Sequence, residues 1–176
     1  GLDSRPALIP FGKIPVATVS PNFFFFSDMG GWEIDVFLPS GVLVRSIRTN
    51  LEPVAVTARD GELNIENAIA GVGDPEQESR IRQHLGSLPL PGHFPPFGNL
   101  MADVRDHLWV QDVQRPGAED RAWTVFDEAG GLVSRVTLPE RFNPTEIGED
   151  YLLGVGWDEM RVEYVRMYHL VRPSGK

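Results

Sequence analysis

Short apolar runs, each bounded by glycine, proline, asparagine or aspartate, recur along most of the chain. That punctuation predicts a β-rich protein with many turns. In Trp32-Glu33-Ile34-Asp35-Val36 the apolar residues fall on one side and the acids on the other, which predicts a strand with one buried face. Phe23-Phe24-Phe25-Phe26 instead puts aromatic rings on both sides, so the sequence predicts a strand covered on both faces. Between residues 51 and 97 the pattern changes. Thr57-Ala58-Arg59-Asp60 reads as a capping box. Asp74-Pro75-Glu76-Gln77 reads as an N-cap followed by proline at the first helical position. Ile81, Leu85 and Leu88 then form one apolar stripe. Two short helices follow, near 58–70 and 75–87, joined by Gly71-Val72-Gly73, with the stripe expected to cover the side or rim of the sheets. Pro89, Pro91, Pro95 and Pro96 mark an extended return.

The strand pattern repeats. Asn22, Asp106 and Asp150 each precede an apolar or aromatic strand, and they stand 84 and 44 residues apart. Val36-Phe37-Leu38-Pro39-Ser40-Gly41-Val42-Leu43-Val44 matches Val125-Phe126-Asp127-Glu128-Ala129-Gly130-Gly131-Leu132-Val133, with Gly41 and Gly130 in one hairpin position. A unit of about 44 residues with four short strands has the period of a β-propeller blade. The predicted first strands lie near 15–19, 99–103 and 144–147, and the second near 23–27, 107–111 and 151–155. The third lie near 32–38, 121–127 and 161–170, and the fourth near 42–48 and 132–138. The fold class expected is therefore mainly β: a partial propeller of about two and a half four-stranded blades with a short two-helix insertion, in one domain over 1–176. Residues 14–50 form a blade, 51–97 the helical insertion and Pro-rich return, 98–140 a second blade, and 141–172 an incomplete last blade.

The Asp106-His107-Leu108-Trp109-Val110 and Trp123-Thr124-Val125-Phe126-Asp127 segments, with the tail Ile147-Gly148-Glu149-Asp150-Tyr151-Leu152-Leu153-Gly154-Val155, resemble bacterial six-bladed β-propeller proteins of the NHL/TolB-like group. The likeness covers most of residues 14–172. It implies a periplasmic or exported location, and a last blade completed by a strand from the chain's beginning; residues 5–11 are the candidate for that strand, or else the outer strand of a lost blade. A propeller needs 4–8 blades to close. The chain is thus expected to be the C-terminal portion of a larger protein, or else to assemble with other copies of itself to close a ring. A sandwich or barrel is the remaining architecture.

Composition narrows the function. The net charge of −9, with no basic run, excludes a nucleic-acid partner of the usual electrostatic kind. With no cysteine there is no disulfide, thiolate metal site or cysteine nucleophile. No apolar stretch is long enough to span a bilayer. His84, His93, His107 and His169 lack metal-ligand spacing, and His107 stands where the other repeats have Phe23 and Tyr151, a strand position. There is no G-x-S-x-G elbow, and Gly30-Gly31, Gly71-x-Gly73 and Gly154-x-Gly156 are not phosphate loops. Asp28 and Asp112 hold equivalent places after the second strand. In a propeller such loops gather on one face, so these two are the candidate ligand-binding residues, against a plain role in turns.

Two functions follow. The first is a non-enzymatic binding or scaffold propeller that recognises a protein, peptide or glycan through its loops or channel mouth, with no cofactor. The second is what the resemblance also implies: a lactonase-like or lyase-like enzyme with a metal, such as calcium, in the channel, for which Asn99, Asp103 and Glu146 are the candidates.

Overall fold

The computed structural model describes residues 9–118, 121–139 and 141–172. Eleven strands and two helices follow one another in three groups. Strands β1 (Val16–Val19), β2 (Phe24–Ser27), β3 (Glu33–Phe37) and β4 (Leu43–Arg48) form a first antiparallel sheet in chain order. Helices α1 (Ala58–Ile69) and α2 (Pro75–Ser87) come next. Strands β5 (Leu100–Ala102), β6 (Leu108–Gln111), β7 (Arg121–Phe126) and β8 (Leu132–Leu138) form a second sheet of the same order. Strands β9 (Phe142–Ile147), β10 (Tyr151–Trp157) and β11 (Glu163–His169) form a third, three-stranded sheet. The fold is mainly β, and none of the described sheets closes into a barrel.

The strands form where the pattern of the sequence sets them, because turn chemistry and alternation act locally. Gly41 and Gly130 sit at φ of 85° and 86° in the β3–β4 and β7–β8 hairpins. A Cβ is disfavoured at such angles, which is why the two hairpins share glycine there. Asp127 adds side-chain acceptance from the N–H groups of Ala129 and Gly131, at 3.0 and 2.7 Å.

The sheets stack in chain order around two apolar layers. Between the first and second sheets lie Phe25, Ile34, Val36 and Ile47 against Phe97, Leu100, Leu108, Val110 and Phe126. Trp32 meets Phe97 and Phe126 with ring centroids 5.4 and 5.6 Å away. Between the second and third sheets lie Trp109, Trp123, Val125 and Leu138 against Phe142, Ile147 and Leu152. Ile34 and Val36 face inward and Glu33 and Asp35 the other way, as alternation requires. The expectation for β2 holds on one face only. Phe25 is buried, whereas Phe24 on the opposite side is 38% exposed, because no described sheet lies beyond it.

Both helix starts follow their caps. Thr57 Oγ1 accepts from the Asp60 N–H at 3.3 Å, and the Asp60 carboxylate accepts from the Thr57 N–H at 2.8 Å. Asp74 Oδ1 accepts from the Glu76 N–H at 3.0 Å, with Pro75 at the first helical position. The stripe of α2 departs from expectation. Ile81, Leu85 and Leu88 are half-buried, and α2 packs on α1 rather than on a sheet. Three residues cover only a narrow face, and a neighbouring helix satisfies it. The helix pair is tethered instead through Arg115, which donates to Asp60 and to the Ala55 carbonyl at 3.1 Å each. Of the proposed closing strand 5–11, residues 5–8 lie outside the described residues, and Ile9–Phe11 begin a turn. No helix among the described residues is long and apolar enough to cross a membrane.

Candidate functional site

The first strand of every sheet stands beside that of the next, β1 against β5 and β5 against β9. Together they line one concavity of about 430 Å³. Thr18 and Ser20 come from the first sheet, Asn99 and Asp103 from the second, and Thr145 and Glu146 from the third. Val19, Met101, Ala102 and Pro144 add apolar surface between them. Asn99, Asp103 and Glu146, chosen from sequence as possible metal ligands, therefore do share one cavity. What they can offer differs. Asn99 Oδ1 accepts from the Leu100 N–H at 2.9 Å. Glu146 accepts from the Tyr151 hydroxyl, and that carboxylate raises the Tyr151 phenol above its ordinary value. The Asp103 side chain is fully enclosed.

The enclosure of Asp103 is the central feature of the turns beside this concavity. Its Oδ1 accepts from the N–H groups of Arg105 and His107, at 2.9 and 3.0 Å. Its Oδ2 accepts from Trp109 Nε1 at 3.2 Å and from Arg172 Nη1 at 2.7 Å, and lies 3.0 Å from His107 Nδ1. Arg172 also donates to the carbonyls of Gly148 and Glu149, both at 2.7 Å. One guanidinium thus joins the β5–β6 turn to the β9–β10 turn. Arg105 makes a second link between them, reaching Glu149 through Nε at 2.8 Å and also through Nη2.

Asp106 ties the other side. It sits at φ 63°, a left-handed conformation that aspartate tolerates better than most residues. Its carboxylate accepts from Ser20 Oγ at 2.6 Å, from the Asn22 N–H at 3.0 Å and from Asn22 Nδ2 at 2.7 Å. The turns after the three first strands are therefore laced in a row, first to second by Asp106 and second to third by Arg172 and Arg105.

Burial pushes the Asp103 carboxyl upward. Hydrogen bonds from Arg172, the His107 N–H, Trp109 and the Arg105 N–H outweigh it and hold the group below the usual carboxylate range. For Asp106 burial acts the same way, and Ser20 and Asn22 bring it below its ordinary value. Both acids are depressed in the folded state, so the unfolded chain binds more protons in acid. Their stabilisation is complete above the unfolded aspartate value of about 3.9 and is lost as pH falls through the lower folded values. Acid titration of the fold, followed by circular dichroism, is therefore expected to show no pH dependence from these two groups near neutrality, where their stabilisation is fully present, and a fall in stability below about pH 4. An Asp106→Asn variant should show a shallower acid dependence. An unchanged profile would mean that Asp106 does not couple to folding.

Asp28 and Asp112 are not brought to this concavity. Asp28 accepts from the Gly30 N–H at 2.7 Å, a local turn, and lines a separate cleft with Glu33 and Asp35. Asp112 accepts from Thr124 Oγ1 at 2.8 Å and pairs with Arg135 at 2.6 Å. It borders an apolar cavity of about 600 Å³ between Trp32, Leu51, Val54, Phe126 and Leu132. The two acids therefore line different cavities. Among the described residues, no group of three or more histidine, aspartate or glutamate side chains is placed to hold a metal ion.

No family model matches this chain, and no curated protein matches it significantly.

Proposed function

We propose that this chain is a propeller portion that works as a non-enzymatic binding scaffold, its ligand a peptide, protein segment or glycan seated at the concavity of the first strands. The observation that carries this is the convergence of β1, β5 and β9 on one cavity, with neutral polar groups from all three sheets beside apolar ones. Radially placed sheets that share their first strands are how blades surround a channel. An exported or periplasmic location, which the NHL/TolB-like resemblance implies, is part of the same proposal.

The polar lining suits recognition more than metal-assisted hydrolysis. Asp103 is committed to Arg172 and Trp109, and Glu146 to Tyr151. Thr18 and the Asn99 amide nitrogen are neutral hydrogen-bonding groups of the kind that fix orientation in a binding site, and the Thr145 hydroxyl, which donates to the Leu153 carbonyl at 3.3 Å, can still accept. Fold alone does not decide function, so the test is made on these residues. The purified chain is screened against a peptide panel and an oligosaccharide panel, and the strongest binder is titrated by calorimetry. Asn99→Ala and Thr145→Ala are each expected to weaken that binding on the order of five-fold, the value of one hydrogen bond. Full affinity in both variants would remove the concavity from the reading. Calcium is titrated alone in the same instrument. Stoichiometric uptake abolished by Glu146→Ala would turn the reading toward the metal-dependent hydrolase.

A further inference from the structure

The stack of sheets ends on two apolar faces, and the repeat shows what each face is built to meet. Phe24, Leu108 and Leu152 hold one position, each paired with the last residue of its sheet's first strand, Val19, Ala102 and Ile147. Leu108 faces back onto the first sheet and Leu152 back onto the second, at 0% and 3% exposure. Phe24, the same position in the first sheet, is 38% exposed. One residue further on, Phe25 and Trp109 face forward and are buried by the next sheet. Leu153 holds that forward position in the third sheet and is only partly covered by described residues. Forward-on-backward packing occurs twice. Among the described residues, its unused backward half is on the first sheet and its unused forward half on the third.

Each unused half is a continuous patch. Cross-strand register places Val19, Phe24, Phe37 and Leu43 in one row, with the Phe24 and Phe37 rings 6.0 Å apart. On the third sheet, Leu153 lies beside Met167 and Val155 beside Val165. Val19, Leu43, Val165 and Met167 are all more than half exposed. Contiguous apolar surface of this kind marks an interaction site.

We propose that the occupant is a second copy of this chain. The third sheet of each copy packs forward onto the first sheet of the other. Two copies then close a ring of six sheets, within the 4–8 that propellers use. The new contact repeats, position for position, a contact the chain already makes twice. Among the described residues, two copies also use both open faces, which leaves no apolar end of the stack to add a third. This inference rests on the propeller reading above.

The test is solution mass by light scattering after size exclusion, on the full chain of 19.6 kDa. A discrete two-chain mass is expected. The forward-face variant Val165→Lys/Met167→Lys and the backward-face variant Phe24→Glu/Leu43→Glu change exposed residues outside the concavity, and each is expected to be a monomer by mass and folded by circular dichroism. Mixing the two is expected to restore a two-chain species, because the mixed pair keeps one unaltered forward-on-backward contact. A monomeric parent chain overturns the proposal and leaves the faces to sheets from a different or longer polypeptide. A dimer that survives either variant, or a mass that grows without limit with concentration, overturns it as well. Mass reads these faces and ligand titration reads the concavity, so one reading can fail while the other stands.

Discussion

Asp103→Ala is expected to lose roughly 3–5 kcal/mol of folding stability, the range for removing one partner of a buried ion pair. The carboxylate is fully enclosed and Arg172 is 13% exposed. Removing it strips the acceptor from Trp109 Nε1, from two backbone N–H groups and from one arm of the guanidinium. Buried donors left without an acceptor lose hydration and gain nothing in return. Arg172→Met is expected to cost less, about 1–3 kcal/mol, because the carboxylate keeps its backbone and indole donors. The asymmetry distinguishes a hub from a simple pair, and denaturant unfolding of both variants measures it. If Asp103→Ala loses less than about 1 kcal/mol, the network is not what joins the second and third sheets. The same variant should loosen the β5–β6 and β9–β10 turns beside the concavity, so its ligand affinity falls with its stability.

The contrast between strands and turns explains what the sequence makes legible. Hairpin glycines, the Asp74-Pro75 cap and the Trp32–Val36 alternation act over a few residues, so each element can be read from its own segment. The lacing of the turns cannot. Asp103 and Arg172 are 69 residues apart, and Ser20 and Asp106 are 86 apart. Asp103 was legible as an acid on an inner strand, which suggests a metal ligand. Its role is set by donors that arrive from elsewhere in the chain. Arg172 sits in a tail with no periodicity to mark it. Asp28 and Asp112 are equivalent in sequence, but the first closes a turn and the second pairs across a sheet with Arg135. Repeat position alone does not bring two side chains into one cavity. The openness of Phe24 was also hidden, since it depends on which sheets are present rather than on the strand itself.

The third sheet offers the other large effect. Phe142 is fully buried, with its ring edge-on to Tyr168 at 4.9 Å. Phe142→Ala is expected to cost roughly 3–5 kcal/mol through lost burial and the cavity left behind. The ring lies directly over Gly154, where the β9–β10 register shifts. A Cβ built at Gly154 would meet ring atoms of Phe142 at 2.6 and 2.7 Å, and would also press on the Asn143 carbonyl oxygen. Gly154→Ala is therefore expected to destabilise by about 1–3 kcal/mol, since a well-packed core resists added volume. The two sites touch, so their effects should not add. In the double variant the methyl group enters part of the space the ring vacates, while its clash with the backbone oxygen remains. The combined loss should fall below the sum of the single losses yet exceed that of Phe142→Ala alone. Thermal unfolding of the three variants measures this coupling. Strict additivity would mean that the Asn143 carbonyl, and not the aromatic ring, is what requires glycine at position 154.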